Sequence, residues 1–241
     1  MSAYKIAVIC MVCAEIILVP LFIKAQWPKK TKKSLALKMI CASLFVAIAV
    51  TGMVGGQNYS LYAILMVVGF IMCWFGDLFL HVSPKQIYFF IGLIFFLIGH
   101  IFFASAYTIA VKDMFPEASF FDWREMIAIV ALLIIGVVGR RLTMSHKLGK
   151  ATVPVLIYTV ALLTMFVKAS SLGIRYAMAG MPYAIGVCLL LCIGGALFVI
   201  SDSTLVYINF DKRKKLPLKA VNLVTYFGAQ VMLACSLLFI H

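Results

Sequence analysis

The sequence predicts an all-α integral membrane protein, a bundle of eight transmembrane helices that forms a single domain over residues 1–241. The first observation is composition, since 65% of the residues are hydrophobic and the mean hydropathy is +1.11. The second is length, because predominantly apolar runs of about 20 residues, enough to cross the hydrocarbon core of a bilayer, recur from end to end. The third is that only short polar connectors separate these runs.

Each predicted helix is an apolar run that ends at a polar connector. The runs cover residues 4–23, 35–54, 59–81, 86–110, 123–139, 153–173, 182–210 and 220–240. The first run holds Glu15, has no basic segment before it beyond Lys5 and lacks a small-residue cleavage site. We therefore expect a retained helix rather than a cleaved signal peptide. Lys38 and Lys168 lie near the ends of the second and sixth runs, where we expect their long side chains to reach the interface.

The net charge of +13 lies in the connectors rather than on a soluble face, which argues against nucleic-acid binding. Basic residues concentrate in the first, fifth and seventh connectors, and the third holds Lys85. In those three connectors they are Lys24, Lys29, Lys30, Lys32, Lys33, Arg140, Arg141, Lys147, Lys150, Lys212, Arg213, Lys214, Lys215 and Lys219. The positive-inside rule then places the odd-numbered connectors in the cytoplasm and both termini on the opposite side.

Two carboxyl groups interrupt apolar runs, Asp77 in the third and Asp202 in the seventh. A carboxyl group inside a membrane is costly, so each is a functional-site hypothesis by default. Both helices run toward the cytoplasm, and the rise of 1.5 Å per residue puts the two residues roughly 6 to 12 Å in from that boundary. Their similar depth predicts that they line one polar pocket and carry out paired acid–base chemistry.

Small and polar residues accompany both aspartates in a similar order. Each aspartate follows a small residue, Gly76 or Ser201, and each of the two helices precedes one with interior polar groups. Those polar groups are His100 and Tyr107 in the fourth run, and Thr225, Tyr226 and Gln230 in the eighth. This similarity between the two halves predicts two parallel four-helix repeats, related by an axis along the membrane normal.

Simpler interpretations remain open for several of these residues. Either aspartate alone can be a structural hydrogen-bonding group, and His100 can satisfy its ring from a neighbouring helix without carrying a proton. Glu15 is either a partner of the acids or a polar group of the pocket. The seven cysteines all fall in apolar runs and the four histidines are scattered, so we expect buried free thiols and no metal site.

The segments around the two aspartates also resemble a known family. Two groups of segments in this chain carry the resemblance, one around each aspartate. The first group is 69–80 (GFIMCWFGDLFL), 90–92 (FIG) and 99–107 (GHIFFASAY), and the second is 195–202 (GALFVISD), Phe210 and 225–230 (TYFGAQ). In order, spacing and number of helices, this pattern resembles the YhhN-like lysoplasmalogenase family over nearly the whole chain.

The resemblance implies hydrolysis of the vinyl ether bond of lysoplasmalogens, which are 1-alkenyl lysophospholipids with a choline or ethanolamine head group, to a fatty aldehyde and a glycerophospho-alcohol. An acid protonates the β-carbon of a vinyl ether, and water captures the resulting oxocarbenium ion, so one carboxyl gives a proton and the other takes one. The apolar neighbours Trp74 and Phe75 favour Asp77 as the donor, and Ser201 favours Asp202 as the base. No metal or organic cofactor is expected.

A lysolipid has one long chain and a hydrated head group, so the pocket should open near the cytoplasmic interface. We expect the tail in an apolar channel and the phosphate near Lys85, Arg141 or Lys219. The expected partners are this substrate and membrane lipids, with no nucleic acid, and the sequence does not determine the oligomeric state. The membrane would be the plasma membrane for a bacterial chain and the endoplasmic reticulum for a eukaryotic one.

Two other functions are compatible with carboxyl groups inside a membrane. A proton-coupled transporter also places carboxylates at depth among glycine-rich helices, and Glu15 would extend a polar path toward the far face. An intramembrane aspartyl protease uses two aspartates as well, but its usual Tyr-Asp and Gly-x-Gly-Asp pairs are replaced here by Ser201-Asp202 and Gly76-Asp77.

Overall fold

A computed structural model describes residues 2–26, 31–83, 85–120, 122–143, 149–210 and 216–240. This part of the chain contains eight α-helices and no strand. They are α1 (Ala3–Ala25), α2 (Lys32–Gly55), α3 (Leu61–Val82), α4 (Gln86–Met114), α5 (Trp123–Thr143), α6 (Thr152–Met178), α7 (Ala184–Phe210) and α8 (Leu216–Ser236). All eight are long and apolar enough to cross a membrane, so the predicted multi-pass α-helical architecture is confirmed.

Several helices extend beyond the predicted apolar runs. α4 continues to Met114 rather than residue 110, and α6 to Met178 rather than residue 173. α8 begins at Leu216, and after Ser236 the chain forms tight turns rather than helix. Hydropathy marks where the chain leaves the hydrocarbon, whereas backbone hydrogen bonding continues until the helix is capped.

The helices pack in chain order within each half of the protein. α1 packs on α2, α2 on α3 and α3 on α4, and in the same way α5 packs on α6, α6 on α7 and α7 on α8. The two halves meet where α4 packs on α6 and where α8 packs on both α1 and α2. The predicted internal repeat stays a prediction.

Glycines allow α3 and α4 to approach each other closely. A Cβ atom on Gly76 would lie 2.6 Å from the ring of Phe96, and one on Gly92 would lie 3.1 Å from the Gly76 carbonyl oxygen. On α7, Gly194 would similarly meet Leu233, whereas Gly186 faces open space. The backbone contact of α3 with α4 fixes the position of Asp77, which follows Gly76 directly.

α5 lies at the edge of the bundle. Of its residues, all of which are described, only Glu125 is buried. α5 packs on α6, and its apolar side chains face outward, as expected for a helix surrounded by lipid.

The connectors α1–α2, α3–α4, α5–α6 and α7–α8 lie at one end of the bundle, which we call the basic end. Residues 27–30, 144–148 and 211–215 of these connectors lie outside the described residues, so Lys29, Lys30, Lys147, Lys212, Arg213, Lys214 and Lys215 are not placed. The predicted orientation, with this end in the cytoplasm, stays a prediction.

The cysteines are only partly buried. Cys41 and Cys73 are fully enclosed, but Cys10 and Cys13 on α1 are exposed, so the prediction of buried thiols is wrong for these two. An apolar run in a membrane faces lipid as well as protein, and sequence alone does not separate the two environments.

Candidate active site

A cavity of about 320 Å³ opens at the basic end, between α1, α2, α3, α4, α7 and α8. Asp77, Asp202 and Tyr226 line it, and Lys85 and Lys219 line it near the helix ends. The prediction that both carboxyl groups share one pocket is therefore confirmed. We call it the head cavity.

The start of α2 is fixed against the end of α3 by paired polar contacts. Thr31 caps α2 by accepting a hydrogen bond from the Ser34 backbone N–H, while the Thr31 N–H donates to the Ser34 hydroxyl. Ser34 also contacts the His81 Nε2 at 2.9 Å. One turn further on, Lys38 reaches Asp77, which lies one turn before His81. The spacing of four residues on both helices thus aligns two polar pairs on one interface.

Asp77 forms a buried ion pair. The Lys38 Nζ lies 2.9 Å from the Asp77 Oδ1 and also donates to the Asp77 backbone carbonyl at 3.1 Å. The Tyr226 hydroxyl donates to Oδ2 at 2.7 Å, and the Gln230 Nε2 donates to that hydroxyl at 2.9 Å. Asp77 is 2% exposed and Lys38 is 6% exposed, so the pair is removed from solvent.

Asp202 has hydroxyl and imidazole groups as partners rather than an ammonium group. The Tyr158 hydroxyl donates a hydrogen bond to the Asp202 Oδ2. The His100 Nε2 lies 2.9 Å from the Tyr158 hydroxyl and 3.5 Å from Oδ2. On the other side, the Ser201 hydroxyl lies 3.5 Å from Oδ1. Asn222 fixes Ser201 by donating to its carbonyl at 2.8 Å and its hydroxyl at 2.9 Å.

The two aspartates occupy corresponding positions, but the charges of their partners on the preceding helix differ. Each contacts a residue of the preceding helix, Lys38 for Asp77 and Tyr158 for Asp202, and each also has a partner on the last helix of the other half. The ring of Phe198 lies between a partner of Asp202 and a partner of Asp77. Its centroid is 4.8 Å from that of the His100 ring and 5.6 Å from that of the Tyr226 ring. Because Lys38 brings a cation and Tyr158 a neutral phenol, the two carboxyl groups are chemically different.

Some predicted site residues lie outside this arrangement. Tyr107 is fully buried beside Tyr62, and neither Tyr107 nor Glu15 is among the described residues that line the head cavity. Both oxygens of Glu15 are buried without a hydrogen-bond partner among the described residues. Arg141 is also not among the residues lining the cavity, so of the three candidates for the phosphate only Lys85 and Lys219 line it.

Sequence reasoning missed three residues of the site. Lys38 is buried rather than at the interface, because the carboxylate of Asp77 provides a counter-charge inside the bundle. Lys168 likewise pairs with Glu125 at 2.6 Å. A lysine in an apolar helix together with an aspartate in the next is the signal that would have indicated such a pair. Tyr158 and Asn222 had no such signal, because tyrosine is common at membrane interfaces and a single asparagine near a helix start is ordinary.

Comparison with sequence families matches the YhhN family over residues 33–237, a span that contains both aspartates and the residues that contact their carboxyl groups. Comparisons with curated proteins and with solved structures gave no match.

Proposed function

This chain belongs to the YhhN family, and on that premise we propose that it hydrolyses the vinyl ether bond of 1-alkenyl lysophospholipids. The observation that carries the proposal is one cavity lined by two buried carboxyl groups with different partners. Acid-catalysed vinyl ether hydrolysis needs one protonated carboxyl and one ionised carboxyl, in the same way that glycoside hydrolysis does.

We assign the ionised role to Asp77. In the resting state, before the substrate reacts, a proton on Asp77 would break its ion pair with Lys38 and leave a buried ammonium without a counter-charge. Asp202 has a tyrosine, a histidine and a serine as partners, and it can hold a proton without disrupting such a pair. This assignment reverses the one that the sequence favoured, in which Asp77 donates and Asp202 accepts, because the apolar neighbours of Asp77 matter less than its contact with Lys38.

The reaction then proceeds in two balanced stages. Asp202 gives its proton to the β-carbon of the vinyl ether, and the carboxylate of Asp77 stabilises the oxocarbenium ion and takes a proton from the attacking water. The product of this stage is a hemiacetal. In the second stage, the hemiacetal hydroxyl returns a proton to Asp202 as the C–O bond to glycerol breaks, and Asp77 protonates the glycerol oxygen. Aldehyde and glycerophospho-alcohol leave, and both carboxyl groups return to their starting states.

The head group has a basic environment near the opening of the cavity. Lys85 and Lys219 both line the head cavity, and charge-assisted contacts to a phosphate are among the stronger hydrogen bonds in proteins. Asn209 and Gln26 provide further polar groups there. These residues support a phosphate at the basic end, with the vinyl ether deeper at the aspartates.

The test is aldehyde release by purified protein in detergent, where transport cannot occur, from 1-alkenyl lysophosphocholine and lysophosphoethanolamine. The matched 1-alkyl and 1-acyl lysolipids should release nothing, since the first has no vinyl ether and the second requires ester cleavage. Release of fatty acid from the acyl lipid, or no aldehyde from either alkenyl lipid, would refute the proposal.

The two carboxyl groups are tested in the same assay. Asp77→Asn and Asp202→Asn should each abolish aldehyde release, and the double variant should be hardly worse than either, as expected for groups that act together. Asp113→Asn, which alters an exposed aspartate at the far end of α4, is the matched control and should leave the rate unchanged. Substantial activity in either single variant, with normal behaviour in detergent, would return that aspartate to a structural role.

A further inference from the structure

A second cavity lies on the other side of Asp202. It has a volume of about 370 Å³ and is formed by residues within 132–140 of α5, 152–163 of α6 and 199–207 of α7. Its lining is mostly apolar, and its charged residues are Asp202 on the inner wall and Arg140 at the basic end. We call it the α5 groove. Asp202 lines both this groove and the head cavity, and Tyr158 lies beside it in the groove.

The groove exists because polar contacts hold α5 to the bundle near its two ends. Near its start, Glu125 pairs with Lys168 of α6 at 2.6 Å. At its last residue, the Thr143 hydroxyl hydrogen-bonds to the hydroxyl of Tyr207 on α7. Between these contacts, a Cβ atom on Gly136 or Gly139 would meet nothing within 4 Å. The middle of α5 therefore stands away from α6 and α7 and leaves a space at the lipid-facing edge of the bundle.

We propose that the α5 groove binds the hydrocarbon chain of the lysolipid substrate while the head cavity holds its phosphate. The inference rests on the proposed function. Such a lipid lies across Asp202, so the vinyl ether, which joins the chain to the glycerol, meets the proton donor where the two cavities share a wall. The chain enters sideways from the bilayer between α5 and α7, and the head group stays at the basic end.

Three properties of the groove match a single alkenyl chain. Its lining is predominantly apolar, whereas the head cavity has Lys38, Lys85 and Lys219 among its lining residues. Its volume lies within the usual range of roughly 300 to 1,000 Å³ for ligand pockets. The stretch of α6 that lines it extends for about 16 Å at 1.5 Å per residue, which suits an extended chain rather than a compact head group.

The test fills the groove and measures chain-length preference. Gly136→Leu and Gly139→Leu each place a side chain in the open space, so the ratio of kcat/KM for a 1-hexadecenyl over a 1-octenyl lysolipid should fall by about tenfold or more. Gly186→Leu is the matched control, because its Cβ also meets open space but it is not among the residues that line the groove. The ratio of kcat/KM for the two chain lengths in Gly186→Leu should stay within about twofold of the ratio in the unsubstituted protein.

A second measurement does not depend on hydrolysis. A 1-alkyl lysophosphocholine with a photoreactive diazirine at the end of its chain has no vinyl ether, and on irradiation it should label peptides from α5 and α6 that line the groove. Gly139→Leu should reduce this labelling, and Gly186→Leu should not.

The two measurements separate the possible outcomes. An unchanged length preference in both groove variants, or labelling confined to the head cavity, overturns the inference while leaving the proposed function intact. If no lysolipid is cleaved but the groove is labelled and the labelling depends on Gly139, the proposed function is wrong and the groove is still a site for a single-chain lipid.

Discussion

Replacing Lys38 by methionine should leave the buried carboxylate of Asp77 without its counter-charge. The side chains of Lys38 and Asp77 are 7% and 2% exposed, so water does not screen the loss. Breaking a buried ion pair by removing one partner costs about 3 to 5 kcal/mol. The partly exposed pair of Arg175 with Asp122 is the matched control, since its side chains are 31% and 16% exposed. Arg175→Met should cost about 1 kcal/mol or less.

The double variant Lys38→Met/Asp77→Asn tests whether the pair itself causes the loss. With both charges removed, no unpaired charge stays inside the bundle, so we expect it to regain about 2 to 3 kcal/mol relative to Lys38→Met alone. It should stay inactive, because the carboxylate proposed to accept the proton is missing. Stability and activity are therefore expected to separate in this variant.

The assay uses the buried thiols of the protein. Cys41 and Cys73 are fully enclosed, so a thiol-reactive fluorophore in detergent reaches them only on unfolding, whereas Cys10 and Cys13 react at the start and set the baseline. Thermal and denaturant midpoints of Lys38→Met should both fall well below those of Arg175→Met. Equal midpoints for these two variants, or a double variant no more stable than Lys38→Met, would refute the buried ion pair.

Three further predictions concern residues around the site. Neither carboxyl oxygen of Glu15 has a hydrogen-bond partner among the described residues, and a buried carboxyl group left without one costs about 1 to 3 kcal/mol. Glu15→Met should therefore raise the unfolding midpoint, and an unchanged or lowered midpoint would contradict this cost. Gly76→Ala should destabilise the protein by about 1 to 3 kcal/mol, since the new Cβ would lie 2.6 Å from the Phe96 ring. Gly186→Ala should not, because its Cβ meets open space. Equal losses of stability in the two variants would contradict the close packing of α3 on α4. Lys219→Met should raise KM more than it lowers kcat, and an equal rise in Arg141→Met would show that the effect is general surface charge.

The fold was predictable from the sequence because it depends on the apolar runs. Runs of about 20 apolar residues require spanning helices, since a bilayer offers no other partner for the backbone N–H and C=O groups. The shared pocket of Asp77 and Asp202 followed from their depth, which chain direction and helix rise determine. The depth of a residue in the membrane can therefore be estimated from its position along its helix.

The rotation of each helix about its own axis, which decides the residues that face the interior, could not be predicted from the sequence in the same way. The helices are apolar on nearly every side, so the pattern does not distinguish a face that meets protein from one that meets lipid. For this reason the sequence did not indicate that Tyr107 and Glu15 are not among the described residues lining the head cavity, or that Cys10 and Cys13 are exposed. Lys38 was misplaced because its position near the end of α2 is equally compatible with the interface and with Asp77 on α3.

Each aspartate has one partner from the opposite half of the chain, Tyr226 for Asp77 and His100 for Asp202. Cutting the chain in the connector between α4 and α5 would therefore give two fragments, neither of which holds the full set of partners for its own acid. Residues 1–118 would keep Asp77, Lys38 and His100, and residues 119–241 would keep Asp202, Tyr158 and Tyr226. Aldehyde release, the activity proposed above, would return only when the fragments reassemble in one membrane. The protein would then be suited to split-enzyme complementation, with that release as the reporter.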